Sequence, residues 1–272
     1  MKKILIIYST GAGSTKNIVD IYSVLLSRFQ VDVLPVSLSF DFSAFSHYDL
    51  LVFAFPCYHC DMSRLMYEFM EKMPKQVAPQ KAFAFITYEL YSGNTLRIFI
   101  KQCLEKNIYV EDYADYRAPG TDAALMFPPI KFVYRYEKNI AANIKKDIER
   151  VQTILSTNHL SYKLPGFKLY SILNYPNKYL GKLHKPQIKL RESVCTNCHL
   201  CIRNCPKNCW SAGDSYPIFD KTKCDTCYKC IHQCPQEALM FSECTIKKKK
   251  MNALFYSTFK NKILQEINLI KQ

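Results

Sequence analysis

The sequence predicts an α/β chain: a doubly wound parallel sheet over residues 1–158, then a small α+β domain over residues 191–243. Three observations carry this. Near-continuous apolar strands alternate with helix-patterned segments through residues 1–116. A loop rich in glycine and hydroxyls follows the first strand directly. The cysteine spacing C-x2-C-x2-C-x3-C-P occurs twice, offset by 29 residues. The remaining segments are a basic, aromatic linker, residues 159–190, and a basic amphipathic tail, residues 244–272.

Lys3 to Tyr8 reads as a short apolar strand, and Asn17 to Phe29 as a helix with Ile18, Ile21, Tyr22, Leu25 and Leu26 on one face. Val31 to Val36 is the second strand and Asp49 to Phe55 a fully buried third. Ser63 to Met73 is helical and closed by Pro74. Ala82 to Thr87 is strand, Asn94 to Lys106 helix, and Ile108 to Tyr116 strand. Sheets of this kind bind ligands beyond the carboxyl ends of their strands. That singles out the loops 9–16, 56–62 and 87–94.

The first loop is Ser9-Thr10-Gly11-Ala12-Gly13-Ser14-Thr15-Lys16. Hydroxyls and glycine-freed amides at a helix N-terminus form a phosphate cradle. A Walker A loop needs Gly before Lys16 and Ser or Thr after it; the chain has Thr15 and Asn17. The dinucleotide fingerprint G-x-G-x-x-G would place its third glycine at Lys16, which is too large for that close packing. In the second loop, Pro56, Cys57 and Tyr58 end the central strand, where a tyrosine can stack on a flat ring. In the third, Thr87, Ser92, Gly93 and Asn94 place hydroxyls and a glycine beside the same region.

The small domain is built on its ladders. Cys195, Cys198, Cys201 and Cys205 precede Pro206, and Cys224, Cys227, Cys230 and Cys234 precede Pro235. This thiolate pattern holds 4Fe–4S cubanes in pairs, the fourth cysteine of each run binding the other cluster. One cluster is therefore assigned to Cys195, Cys198, Cys201 and Cys234, and the second to Cys224, Cys227, Cys230 and Cys205. Zinc is the competing metal, but its structural sites usually pair two widely separated C-x-x-C motifs. Cys209 aligns with Ala238 and Trp210 with Leu239, so both read as packing residues. Tyr216 to Phe219 reads as a short return strand. Cys103 reads as helix core, Cys244 has no partner position, and His59, His199 and His232 read as non-ligands.

On the loop Ser9 to Thr15, the ordered strands and the paired ladders, the chain resembles the flavodoxin–ferredoxin fusion proteins of anaerobes. In these an FMN-binding flavodoxin-like domain precedes a two-cluster bacterial-type ferredoxin. The resemblance covers about residues 1–155 and 190–242. It implies an iron–sulfur flavoprotein of electron transport, with Ser9 through Thr15 on the FMN phosphate and Pro56 to Tyr58 and Thr87 to Asn94 along the flavin. One departure stands out: Tyr88 and Glu89 occupy the start of the third loop, where paired glycines are expected. Two alternatives stay open. One is a ferredoxin-type carrier whose flavodoxin-like half is a flavin-free docking scaffold; the other is a flavin-dependent reductase of a small molecule or quinone. No acid–base pair or nucleophile stands out, so no catalytic residue is assigned.

The 13 cysteines suit metal ligation better than disulfides, since eight form the ladders. The first strand is too short for a signal peptide, and no run approaches the roughly 18 apolar residues of a membrane span. A reducing cytoplasm is the expected location. The net charge of +14 is uneven: residues 160–195 and 245–272 each carry seven basic and one acidic group. Two clusters would remove about 4 charges and a flavin phosphate about 2 more. The loaded protein stays cationic, which suits a protein redox partner with an acidic docking surface. Nucleic acid is not expected, because the lysines sit in a tail without a recognition fold. The tail places Met251, Phe255, Phe259, Ile263, Ile267 and Ile270 at helical intervals; this reads as a docked helix, with anionic membrane contact as the sharper alternative. Cys57-Tyr58-His59-Cys60 is a C-x-x-C that reads as small loop residues rather than a redox dithiol, since the sheet is not thioredoxin-like and Pro56 precedes it.

Overall fold

Alternation along the apolar strands sorts their side chains onto two faces. In β1 (Lys3–Tyr8), Ile4 and Ile6 face one core and Leu5 and Ile7 the other; β3 (Leu50–Tyr58) and β5 (Gln80–Tyr88) divide in the same way, Val52 from Phe53 and Phe85 from Ile86. A sheet apolar on both sides must be covered twice. Helices α1 (Ser14–Leu25) and α5 (Ile140–Ser156) bury the first face, and α2 (Arg64–Lys72) and α3 (Thr95–Glu105) the second.

The computed structural model describes residues 1–126, 134–173, 175–176, 179 and 187–270. Its main sheet runs β2 (Gln30–Pro35), β1, β3, β5, β6 (Ile108–Arg117), all neighbours parallel. The two-residue strand β4 (Asp61–Met62) folds back antiparallel on β3. Without it, the order is the 2-1-3-4-5 of the flavodoxin-like doubly wound fold. The order reverses between β1 and β3, so the loops after these two strands flank the switch point where such folds take ligands. Helix α1 begins at Ser14, three residues before the sequence reading, because the last residues of the glycine loop already form its first turn. The short helix α4 (Ala123–Met126) and α5 are additions to the expected elements, although Ile140, Ile144, Ile148, Val151 and Leu155 mark the buried stripe of α5.

The small domain is a two-fold repeat in which the copies exchange strands. The first copy holds β7 (Lys189–Leu190), α7 (Leu200–Arg203) and β8 (Trp210–Ser211); the second holds β9 (Ile218–Phe219), α8 (Lys229–Gln233) and β10 (Leu239–Met240). The opening strand of each copy pairs antiparallel with the closing strand of the other, β7 with β10 and β9 with β8. Bonds from Arg191 N–H to Ala238 O at 2.8 Å and from Asp220 N–H to Cys209 O at 2.7 Å are equivalents under the offset. The expected return strand is the Ile218–Phe219 pair, and Trp210 stacks on Phe219 with ring centroids 4.9 Å apart.

After β10, α9 (Glu243–Ile246) leads into α10 (Ala253–Leu269), which packs on α1 and α5 through Ile263 and Ile267. The tail is thus a docked helix. In the linker, Tyr170–Leu173 form the short helix α6; Asn174 lies outside the described residues. No described helix is long and apolar enough to cross a membrane.

Candidate functional site

Each ladder follows a path that only particular backbone conformations allow. Asn197 and His199 in the first copy, and Thr226 and Tyr228 in the second, all adopt left-handed φ between 51° and 60°. Asn208 and Glu237 form a third such pair, both at 49°. These turns curl the chain around its own cysteines before a single helical turn carries the fourth cysteine across. Pro206 and Pro235 then end each run, since proline cannot continue a helix.

Two cavities result. One, with about 450 Å³ of atom-free space, is lined by Cys195, Cys198, Cys201 and Cys234, with Cys230 at its border. The other, about 350 Å³, is lined by Cys205, Cys224, Cys227 and Cys230, with Cys209 beside them. Cys234 of the second run thus lines the cavity of the first, and Cys205 of the first run lines that of the second. Among the described residues, no three His, Cys, Asp or Glu side chains are gathered as for one ion; the thiols ring spaces instead. The surroundings suit sulfur anions: Asn197 N–H donates to Cys195 Sγ at 3.4 Å, and Cys209 and Ala238 N–H to Cys205 and Cys234 Sγ, both at 3.3 Å. The buried Trp210 indole N–H has no ordinary partner among the described residues and favours the anion of Cys230. Burial pushes Cys227 up to about 12, whereas a hydrogen bond from the Cys209 thiol holds Cys205 down at about 6 and lowers Cys224, so the thiols of the second cavity divide between neutral and anionic forms.

At the switch point a cleft of about 380 Å³ is lined by Thr10, Gly11, Ala12, Ser14, Thr15, Pro56, Cys57, Tyr58 and Thr87. Hydroxyl contacts tie its walls together, Thr15 Oγ1 of α1 with Thr87 Oγ1 of β5 at 2.8 Å and Ser14 Oγ donating to Pro119 O at 2.9 Å. The N-terminus of α1 opens here with no side-chain cap and no acidic residue in its first turn, leaving its amides available to an anion. Five predicted residues lie off the cleft. Ser9 is buried behind it, and Gly13 packs under the Tyr256 ring of α10. Ser92, Gly93 and Asn94 turn away because the linker binds them. Lys168 Nζ reaches Ser92 Oγ at 2.6 Å, Lys168 N–H donates to Asn94 Oδ1 at 2.8 Å, and Gly93 packs against Cys60.

A wall absent from the sequence reading is the loop Ala118-Pro119-Gly120-Thr121-Asp122. Its signal was available: a Pro-Gly turn directly after the last parallel strand, at the ligand-binding end of the sheet. This loop also joins the domains. His232 of α8, buried between the second ladder and the tail, donates from Nε2 to Thr121 O at 2.8 Å, while its Nδ1 accepts from Met251 N–H at 3.1 Å. Asp225, between Cys224 and Cys227, accepts from Arg64 and Leu65 N–H at 3.0 and 3.1 Å, supplying the start of α2 with an anion from the other domain. Gly11 is needed at this junction: a Cβ there would stand 2.8 Å from the Tyr58 hydroxyl and 3.0 Å from the Cys227 carbonyl. The second cavity and the cleft are therefore neighbours.

Glu89, where paired glycines were expected, lines the cleft beside Asp122. Burial, and then Asp122, raise its carboxyl to about 7. A carboxyl raised on folding binds more protons in the native state, so its contribution falls as pH rises from about 4.5 to about 7. Burial lowers His232 to about 4, which acts in the opposite sense between about 4 and 6.5. The test is thus the difference between two proteins. Denaturant midpoints of wild type and Glu89→Gln, followed from pH 5 to 7.5, should diverge with pH in favour of the variant; parallel curves would show that Glu89 ionises freely.

No family model matches the chain, and no curated protein sequence matches it. Among solved structures, the chain is similar to oxidised Flavodoxin 2 from Bacillus cereus, at 15% identity and TM-score 0.41, over 57% of this chain and 97% of that one. It is similar to a flavodoxin from the domain Archaea at 12% identity and TM-score 0.39, over 56% and 98%. A flavodoxin of Streptococcus pneumoniae TIGR4 gives 17% and 0.40, over 57% and 95%. The fold assignment itself rests on the strand order and parallel pairing of this chain.

Proposed function

We propose that the chain is an electron-transfer protein holding two 4Fe–4S clusters in its cysteine-lined cavities and FMN in the cleft at the switch point. The observation that supports this is the lining of the cavities: Cys195, Cys198 and Cys201 with Cys234 and Cys230 around one, and Cys224, Cys227 and Cys230 with Cys205 and Cys209 around the other, so that each run lends its last cysteine to the other's cavity. The cleft fits a phosphorylated flavin in its donor set, with hydroxyls at Thr10, Ser14 and Thr15 beside an open helix N-terminus, and Pro56 and Tyr58 beyond them. Bound FMN would supply a carrier able to exchange electrons singly or in pairs, next to clusters that exchange them singly. The chain's own part is to hold these groups close. Gly11 against Cys227, Asp225 on α2 and His232 on Thr121 fix the second cavity beside the cleft.

The basic surplus of linker and tail supports an acidic protein as the redox partner, in a reducing compartment such as the cytoplasm. A second reading, a flavin-free docking scaffold, is favoured by the cleft's own side chains. The Tyr58 hydroxyl lies over Gly11, and the Glu89 carboxyl occupies the space beside Gly120. Anaerobic purification with iron, sulfide and flavin assays separates the two. The main reading expects about 8 iron atoms per chain and one bound or reconstitutable FMN. Full iron without flavin leaves the scaffold, and zinc alone in the ladders removes both.

A further inference from the structure

The β3–β4 hairpin is closed by two residues, since Tyr58 pairs with Asp61 and leaves His59 and Cys60 as the loop. A loop of this length needs positive φ at both positions, where Asn-Gly is the usual occupant. Here φ is 51° at His59 and 59° at Cys60, and neither is glycine. Strain of this kind points toward function when it places a reactive group. It places Cys60 on the same side as Cys57. The two sulfurs approach one backbone oxygen, Tyr91 O, at 3.6 Å from Cys57 and 3.8 Å from Cys60. Gly93 seals the far side: a Cβ there would stand 2.8 Å from Cys60 Cβ. Cys57 itself lines the flavin cleft and contacts Thr95 Oγ1 at 3.2 Å.

We infer that Cys57 and Cys60 are a redox-active dithiol, a two-electron centre at the cleft wall that exchanges with low-molecular-weight aliphatic disulfides. The Cys60 thiolate, its proton released to solvent, attacks one sulfur of the external disulfide. A Cys60–sulfur bond forms, the external S–S bond breaks, and one external thiolate leaves. Cys57 then loses its proton and attacks Cys60 Sγ, closing the Cys57–Cys60 disulfide and releasing the second external thiolate. The two protein thiols are oxidised by two electrons, and one external disulfide is reduced to two thiols.

The order of attack follows from burial. The Cys57 thiol is pushed up to about 12 from 9.0, chiefly by desolvation. Such a thiol holds about a thousandth of the ordinary thiolate fraction and recovers about half of that, on a logarithmic scale, through greater nucleophilicity. First attack by Cys57 is therefore about 30-fold slower than by an ordinary thiol. Its task is to resolve a bond formed by its neighbour.

The chain offers an unambiguous readout. The tryptic peptide 29–64, from Phe29 to Arg64, contains Cys57 and Cys60 and no other cysteine. The full, cluster-loaded chain is equilibrated anaerobically with glutathione disulfide, alkylated, digested and weighed. The expected product is peptide 29–64 unalkylated and lighter by two hydrogens. In C57S a glutathione adduct should persist on Cys60, and in C60S adduct formation on Cys57 should be at least about tenfold slower than on Cys60 in C57S. Two alkylated thiols in the wild-type peptide, or equal rates in the two variants, would overturn the inference. The wild-type measurement stands alone if a variant fails to fold. None of these readings requires bound flavin, so its failure and that of the FMN assignment remain distinguishable.

Discussion

With the proposed clusters bound, Cys205→Ser should raise the fluorescence of the single tryptophan more than Cys234→Ser does, although each variant loses about half of the roughly 8 iron atoms. The expectation rests on the proposed exchange of ligands between copies. Cys205 belongs in sequence to the first run but lines the second cavity, as Trp210 does. Cys234 belongs to the second run and lines the first cavity, which Trp210 does not touch. Quenching of an indole by an iron cluster grows steeply with proximity, so Trp210 weights the second cavity, which it lines, more heavily than the first. Serine keeps the size of the side chain and replaces a soft thiolate with a poor ligand for this iron. Iron analysis on anaerobically prepared protein gives the stoichiometry, and emission identifies the site. A larger rise of Trp210 emission in Cys234→Ser than in Cys205→Ser would show that each run keeps its own fourth ligand, and the crossed arrangement would have to be given up.

How much of this was legible in the sequence depends on the distance over which each contact acts. The two-fold repeat of the small domain was legible because the cysteine spacing is local and because a repeat can be aligned with itself. That alignment matched Cys209 to Ala238, and the structure gives both backbone amides the same bond, to Cys205 and Cys234 Sγ. The parallel strands were legible because burial on both faces leaves unbroken apolar runs. The third loop was not. Ser92, Gly93 and Asn94 look like ligand-facing residues until Lys168, more than 70 residues later, claims two of them. Nothing local predicts such a pairing. The strain at His59 and Cys60 was hidden for a related reason. A C-x-x-C carries no mark that a two-residue hairpin will force both of its final positions to positive φ.

Removal of residues 253–272 should unfold the sheet domain as well as the tail, although the sequence presents that segment as a basic appendage. Helix α10 buries Phe255, Tyr256, Ile263 and Ile267, each less than a tenth exposed. At about 1.5–3 kcal/mol for each large apolar side chain withdrawn from water, these four contribute on the order of 6–12 kcal/mol. That is comparable to the whole stability of a typical domain, about 5–15 kcal/mol. The loss falls on the sheet because Ile263 and Ile267 share a core with Ile18, Val19, Ile144 and Val151 of α1 and α5. Tyr256 also touches the glycine loop before α1, its hydroxyl 3.0 Å from Ser14 Oγ and its ring against Gly13. A single change isolates the packing from the truncation. Ile267→Ala should cost about 2–5 kcal/mol and lower Tm by roughly 5–15 °C. The same burial bears on membrane contact: Ile263 and Ile267, the centre of the apolar stripe that a bilayer would need, already face α1 and α5, and only Leu254, Leu269 and Ile270 stand exposed with the lysines. Liposome sedimentation of wild type and the truncated chain, beside thermal melts of Ile267→Ala, tests both statements. A melt unchanged by Ile267→Ala, with lipid binding lost on truncation, would mean that the helix leaves the sheet for the membrane.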